Sequence, residues 1–138
     1  MDDRGVPFDN HKRLLDVGCG AGHFLAEACK RVECVGIEIV PVAVEMALKR
    51  VPDATILLKN IEAQNGTEIY DFITCMGSLE HVIDIDVALE RIRDLLTPDG
   101  KWYFYCPNER WTYTDQPNER TMSNAEWVDL FQRHGLYT

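Results

Sequence analysis

The stretch Asp16-Val17-Gly18-Cys19-Gly20-Ala21-Gly22 contains the residues whose types and spacing best suit ligand chemistry. Its glycines let the chain turn sharply out of a strand and let a ligand approach the backbone closely. Pyrophosphate-binding loops space their glycines as G-x-G-x-x-G and hold the phosphates at a helix N-terminus. Here the spacing is G-x-G-x-G, and His23 stands where the third glycine of that pattern would be. Asp16, in front of the loop, would face a pyrophosphate unfavourably, but it suits a ligand that carries an ammonium and a sulfonium. Glu38 follows Gly18 by twenty residues and ends an apolar run. A carboxylate there can accept hydrogen bonds from both ribose hydroxyls. The charge argument favours S-adenosylmethionine over NAD as the bound nucleoside.

These residues need a scaffold, and the apolar pattern supplies one. Leu14–Val17 reads as a buried strand stopped by the glycines, and Phe24, Leu25 and Ala28 predict a helix running to about Arg31. Cys34–Ile37 is a second strand with Glu38 at its end, and Pro41 opens a helix whose inner face is Val44, Ala47 and Leu48. Thr55–Leu58 and Tyr70–Cys75 are the third and fourth strands. Ile85, Leu89, Ile92 and Leu96 mark one face of a helix over 84–96, and Thr97-Pro98-Asp99-Gly100 reads as a turn. Trp102–Cys106 is a fifth strand, with Trp102 and Phe104 on one face and Tyr103 and Tyr105 on the other. Ser123 caps a last helix that reaches His134 and ends at Gly135. Alternating strands and helices imply a doubly wound, mostly parallel α/β sheet, whose ligand binds beyond the carboxyl ends of the strands.

With 138 residues the chain is long enough for one compact domain, read as 1–138 with a flexible start over 1–12. Its net charge of −9, from 14 basic and 23 acidic residues, leaves no basic face for phosphates, so no nucleic-acid partner is expected. No apolar run is long enough to span a bilayer, and residues 1–10 lack the pattern of a secretory signal. The five cysteines form no C-x-x-C pair, and the four histidines show no metal-ligand spacing. No metal site and a reducing, cytoplasmic setting are therefore expected.

The motifs resemble the class I S-adenosylmethionine-dependent methyltransferases. The resemblance runs from Leu14-Leu15-Asp16-Val17-Gly18-Cys19-Gly20-Ala21-Gly22 through Val35-Gly36-Ile37-Glu38 and Asp71–Val82 to Leu95-Leu96-Thr97-Pro98-Asp99-Gly100. It is greatest for the small-molecule branch that includes the ubiquinone-biosynthesis O-methyltransferases. It implies a Rossmann-like methyltransferase fold. It assigns Asp16, Gly18, Cys19 and Gly20 to the methionine end of the cofactor, Glu38 and Ile39 to its ribose side, Asn60 and Ile61 to its adenine, and Met76 to its amino group. The family often has Asp where this chain has Asn60, although an amide can still accept from the adenine amino group.

If the methyl acceptor is a hydroxyl, a base must take its proton, and His81 after the fourth strand is the candidate. Alternatively, His81 orients its loop by hydrogen bonding. Residues 107–122 match the substrate-side loop, where Trp111 and Tyr113, with Trp127 beyond it, could wall an aromatic acceptor; Trp127 fits a helix core equally. Family members continue into a C-terminal antiparallel hairpin, whereas this chain stops at Leu136-Tyr137-Thr138. The fifth strand is then expected to be an open edge, through which an oligomer could form. Three functions are in view: transfer of a methyl group to a small molecule, a methyltransferase-like module that binds cofactor or partner without catalysis, and methylation of protein or RNA. Met76-Gly77-Ser78-Leu79 in place of an Asn-Pro-Pro-Tyr-like motif argues against base methylation.

Overall fold

The computed structural model describes residues 11–108 and 119–137. Five parallel strands form one sheet in the order β3-β2-β1-β4-β5: β1 (Arg13–Val17), β2 (Glu33–Glu38), β3 (Thr55–Leu58), β4 (Tyr70–Met76) and β5 (Leu96–Tyr105). The order reverses between β1 and β4, which opens a crevice at their carboxyl ends. Among the described residues four α-helices connect the strands or follow them: α1 (His23–Ala28), α2 (Pro41–Arg50), α3 (Ile85–Leu95) and α4 (Asn124–Arg133). One core joins β1, β2 and β4 to α3 and α4, and a second joins the opposite face to α1 and α2.

Each helix begins for a local reason. Pro41 opens α2, where its missing N–H costs nothing. The Asp84 side chain accepts from Val87 N at the start of α3. Ser123 and Glu126 form a reciprocal capping box on α4. The inner face of β5 packs on α4, with Trp102 and Phe104 ring centroids 4.6 and 4.4 Å from Phe131. Tyr103 and Tyr105 point the other way and are exposed, as the alternation predicts. β5 is the outermost strand of the sheet.

Two expectations are corrected. α1 stops at Ala28 rather than near Arg31, because the following turn tightens into i→i−3 bonds, Lys30 N to Glu27 O and Arg31 N to Ala28 O. Thr97–Gly100 does not separate helix from strand. It lies inside β5, where Leu96 pairs with Tyr70 and Lys101 with Phe72. Four residues of β5 therefore stand opposite one residue of β4, a wide bulge. A Cβ on Gly100 would lie 2.9 Å from Thr97 O, so only glycine closes this bend.

Candidate active site

The glycine loop follows β1 without a break. Gly18, Gly20 and Gly22 have φ of 73°, 53° and 77°, in the left-handed region that glycine alone adopts freely. Gly18 N and Cys19 N both donate to Ile37 O, which ties the loop to the end of β2. The glycines differ in what surrounds them. A Cβ on Gly18 would lie 2.5 Å from Ser78 Cβ, and one on Gly22 would lie 2.9 Å from Val51 Cγ2. A Cβ on Gly20 would meet no protein atom within 4 Å. Gly18 and Gly22 are thus glycines because neighbouring elements press on them, and Gly20 is the one that opens onto free space. A side chain at Gly18, which also lines the cavity described below, would first collide with Ser78.

Glu38 ends β2 with a buried carboxylate that backbone donors hold in place. Its Oε1 accepts from Ile39 N at 2.8 Å and Val40 N at 2.9 Å, and its Oε2 accepts from Gly20 N at 2.9 Å. Four lone-pair positions and three donors leave one position open. Glu38 therefore also fixes the glycine loop and the entry to α2. We expect Glu38→Ala to lower the melting temperature as well as reduce cofactor affinity about ten- to a hundredfold, since charge-assisted bonds are worth ~1.5–3 kcal/mol. Thermal melting and calorimetric titration of Glu38→Ala and Glu38→Gln would check this. Unchanged affinity in both variants removes Glu38 from the ligand site.

Asp16 is buried beneath the loop, and its Oδ1 accepts from Thr74 Oγ1 at 2.6 Å. Burial pushes its carboxyl up to about 6, the Thr74 bond opposes that rise, and the Glu38 charge adds to it. A raised carboxyl favours the folded state most when protonated, so this stabilisation is complete below the ordinary value of 3.8 and is lost as pH rises through about 6. A cationic ligand reverses the preference by favouring the ionised form. Affinity for S-adenosylhomocysteine, which keeps the ammonium, should therefore rise roughly tenfold from pH 5 to 7 in the parent. The rise should be absent in Asp16→Asn; an equal rise in both proteins rejects Asp16 as its origin.

The remaining walls come from the loops after β3 and β4. Asn60 caps a 3-10 turn over Ile61–Ala63, its Oδ1 accepting from Glu62 N at 3.0 Å and its Nδ2 donating to Glu62 Oε2 at 3.1 Å. Glu62 Oε1 also accepts from Asp84 N at 2.8 Å, which joins this turn to the loop after β4. That second loop carries a 3-10 turn, Leu79–His81, anchored where Ser78 Oγ donates to Val17 O at 2.8 Å. Glu80 is buried, its Oε2 has no partner among the described residues, and burial pushes its carboxyl upward. His81 Nε2 lies 3.9 Å from Glu80 Oε1.

These parts enclose one cavity of about 890 Å³ at the carboxyl ends of the strands, at the upper end of the range for small-molecule sites. Of the residues expected from sequence, Gly18, Gly20, Glu38, Ile39, Asn60, Ile61 and His81 line it together. Asp16, Cys19 and Met76 do not. Asp16 lies one layer down. The Cys19 thiol packs in the core within reach of Gly36, and burial pushes it up to about 12, so it stays neutral. Met76 pairs with Tyr105 in the sheet and leaves its side chain exposed. Trp127 is core rather than site wall: its Nε1 donates to Pro107 O at 3.0 Å. Trp111 and Tyr113 lie outside the described residues. The sequence reading missed Lys59, Glu62, Ser78 and Arg120 as lining residues. Adjacency to Asn60 and His81 was a usable signal for the first three. Arg120 had none, because it reaches the site only through the fold.

A model of the methyltransferase-domain family matches residues 4–138. The chain belongs to that family. Membership supports S-adenosylmethionine as the cofactor. The chain is similar to the uncharacterised methyltransferase YcgJ of Bacillus subtilis, with 28% identity over 145 residues covering 90% of this chain and 56% of the relative. It is 35% identical over 105 residues to a ubiquinone biosynthesis O-methyltransferase of Salmonella paratyphi A, covering 70% of this chain and 43% of that protein. The N-methyltransferase NodS of Bradyrhizobium japonicum, crystallised with S-adenosylhomocysteine, shares the fold with a TM-score of 0.64 and 22% identity, covering 67% of this chain and 51% of NodS. The chain spans about half the length of the curated relatives it matches. As a methyltransferase domain it has the doubly wound sheet expected. No helix among the described residues is long and apolar enough to cross a membrane, and no group of three or more acids, histidines or cysteines among them could hold a metal ion.

Proposed function

We propose that this methyltransferase domain binds S-adenosylmethionine in the cavity and transfers its methyl group to a small-molecule acceptor, through a hydroxyl oxygen. The observation that carries the reading is the shared wall: Gly20 open to the cavity, Glu38 with one lone-pair position free, and His81 on the same cavity. The fit to the cofactor is direct. A backbone with no side chain at Gly20 admits the methionine end, Asp16 beneath the loop supplies negative charge, and the free position on Glu38 suits a ribose hydroxyl. Asn60 and Ile61 are the proposed adenine contacts, and Asn60 Oδ1 keeps one lone pair beyond its bond to Glu62 N.

Bound S-adenosylmethionine supplies an electrophilic methyl on a sulfonium. The chain's own residues hold the two reactants in line and exclude water, which is where most of the acceleration arises. His81 takes the acceptor proton at an imidazole nitrogen. The hydroxyl as acceptor atom is supported by similarity to the ubiquinone O-methyltransferase, and the acidic chain suits a small molecule better than a nucleic acid. Self-association through β5, the outermost strand among the described residues, and a reducing cytoplasmic setting for the five free cysteines belong to the same reading.

Thermal melting with S-adenosylmethionine, S-adenosylhomocysteine and NAD is the first test. Both sulfur compounds should raise the melting temperature and NAD should not. Stabilisation by NAD alone rejects the cofactor assignment. A screen of hydroxyl, amine and thiol acceptors with the labelled cofactor then separates O-methylation from the other acceptor atoms and from a module that only binds.

A further inference from the structure

We infer that Arg120 recognises a carboxylate on the methyl acceptor, so that the substrate class is a small hydroxy acid. The inference rests on the methyltransferase reading above and names its acceptor. Arg120 lies thirty-nine residues beyond His81 in the sequence and lines the same cavity. Its backbone N–H donates to Glu80 O at 3.0 Å, and its Nη1 donates to Leu79 O at 3.4 Å and Val82 O at 3.3 Å. Those three carbonyls flank His81 on both sides. The guanidinium is therefore seated on the turn that carries the proposed base.

Stapling a turn does not require this residue. Carbonyls can be held by any neutral donor, and the two Nη1 bonds are long. A guanidinium has five N–H donors, and the carbonyls use only Nη1. The Nε and Nη2 edge has no carboxylate in an ion pair among the described residues, although the chain carries a net charge of −9. The acid closest along the turn is Glu80, whose buried carboxyl is pushed toward its neutral form. Glu119 is the other acid close by in sequence. A guanidinium edge with two parallel N–H groups matches a carboxylate bidentately, and an edge already fixed by its neighbour loses little freedom on binding. A carboxylate held there would place a hydroxyl on the same small molecule near His81. Val82 and the exposed Ile83 supply the apolar wall for the carbon frame between the two groups.

The test uses the whole chain saturated with S-adenosylhomocysteine and titrated with 3-hydroxybenzoate or its neutral counterpart 3-hydroxybenzamide. Chemical-shift changes give both affinities without turnover. The acid should bind about ten- to a hundredfold more tightly than the amide. Arg120→Gln should abolish that ratio by weakening the acid at least tenfold more than the amide, and Arg120→Lys should retain part of it. A staple alone predicts equal loosening of acid and amide, which overturns the proposal. So does equal binding of the two by the parent, including no binding of either. If Arg120→Gln does not fold, the parent decides: its acid-over-amide ratio must exceed tenfold and shrink with added salt. Failure of S-adenosylhomocysteine to bind at all would sink the methyltransferase reading as well, so the first titration tells the two failures apart.

Discussion

Valine at Gly18 is expected to remove most of the folded protein, whereas valine at Gly20 should leave a folded protein that no longer holds the cofactor. Both positions have positive φ, 73° and 53°, so both substitutions incur left-handed strain of about 1–3 kcal/mol. The difference lies in the neighbours. At Gly18 the first side-chain carbon would already overlap Ser78 Cβ at 2.5 Å and Ser78 Oγ at 2.8 Å. Ser78 cannot swing aside without breaking its bond to Val17 O, which anchors the loop after β4 to β1. Overpacking of this kind adds roughly 1–3 kcal/mol, and the lost bond adds more, against a total stability of about 5–15 kcal/mol. At Gly20 no protein atom lies within 4 Å, and the new side chain meets only the space proposed for the ligand. Circular-dichroism melts and S-adenosylhomocysteine titrations of the two variants should separate cleanly. A Gly18→Val protein with a normal melt and weakened binding would reject the packing explanation.

The contrast also shows what could be read from sequence. The glycine run, the acid at the end of β2 and the order of the elements follow from local patterns: apolar runs, turn residues and spacing. β3 has the bounds the pattern predicts, Thr55–Leu58, and Ser123 caps α4 as its residue type predicts. What stayed hidden depends on contacts between distant segments. Nothing near Gly18 in the sequence announces Ser78, and nothing near Glu38 announces that Gly20 N will occupy one of its oxygens. Thr97–Gly100 has turn residues and does bend, yet the strand it interrupts continues because β4 offers a ladder on both sides of the bulge. Trp127 suited both core and site wall by composition, and only its bond to Pro107 O and its burial decide for the core. Arg120 reaches the cavity because the chain returns to the loop after β4 before entering α4.

His81→Ala is expected to cut turnover roughly 10²- to 10⁴-fold, with cofactor affinity nearly unchanged. His81 lines the cavity on the loop after β4, and its backbone N–H is held by Ser78 O, so removing the imidazole should leave the turn in place. Burial pushes the Asp16 carboxyl up to about 6, so under the proposed reading cofactor affinity would vary with pH. Turnover must therefore be followed at saturating cofactor, and in Asp16→Asn as well as in the parent. A loss of turnover in His81→Ala that persists at saturating cofactor and in the Asp16→Asn background belongs to the imidazole. Glu80 provides the sharper comparison, since its carboxyl lies 3.9 Å from His81 Nε2 and is held toward neutrality by burial. Because burial holds Glu80 toward its neutral form, Glu80→Gln should slow turnover less than His81→Ala without moving cofactor affinity. Equal rates in His81→Ala and the parent at neutral pH would sink the base assignment. In that case Glu80, a water molecule or an already ionised acceptor must take over the proton, and Glu80→Gln would become the more damaging of the two substitutions.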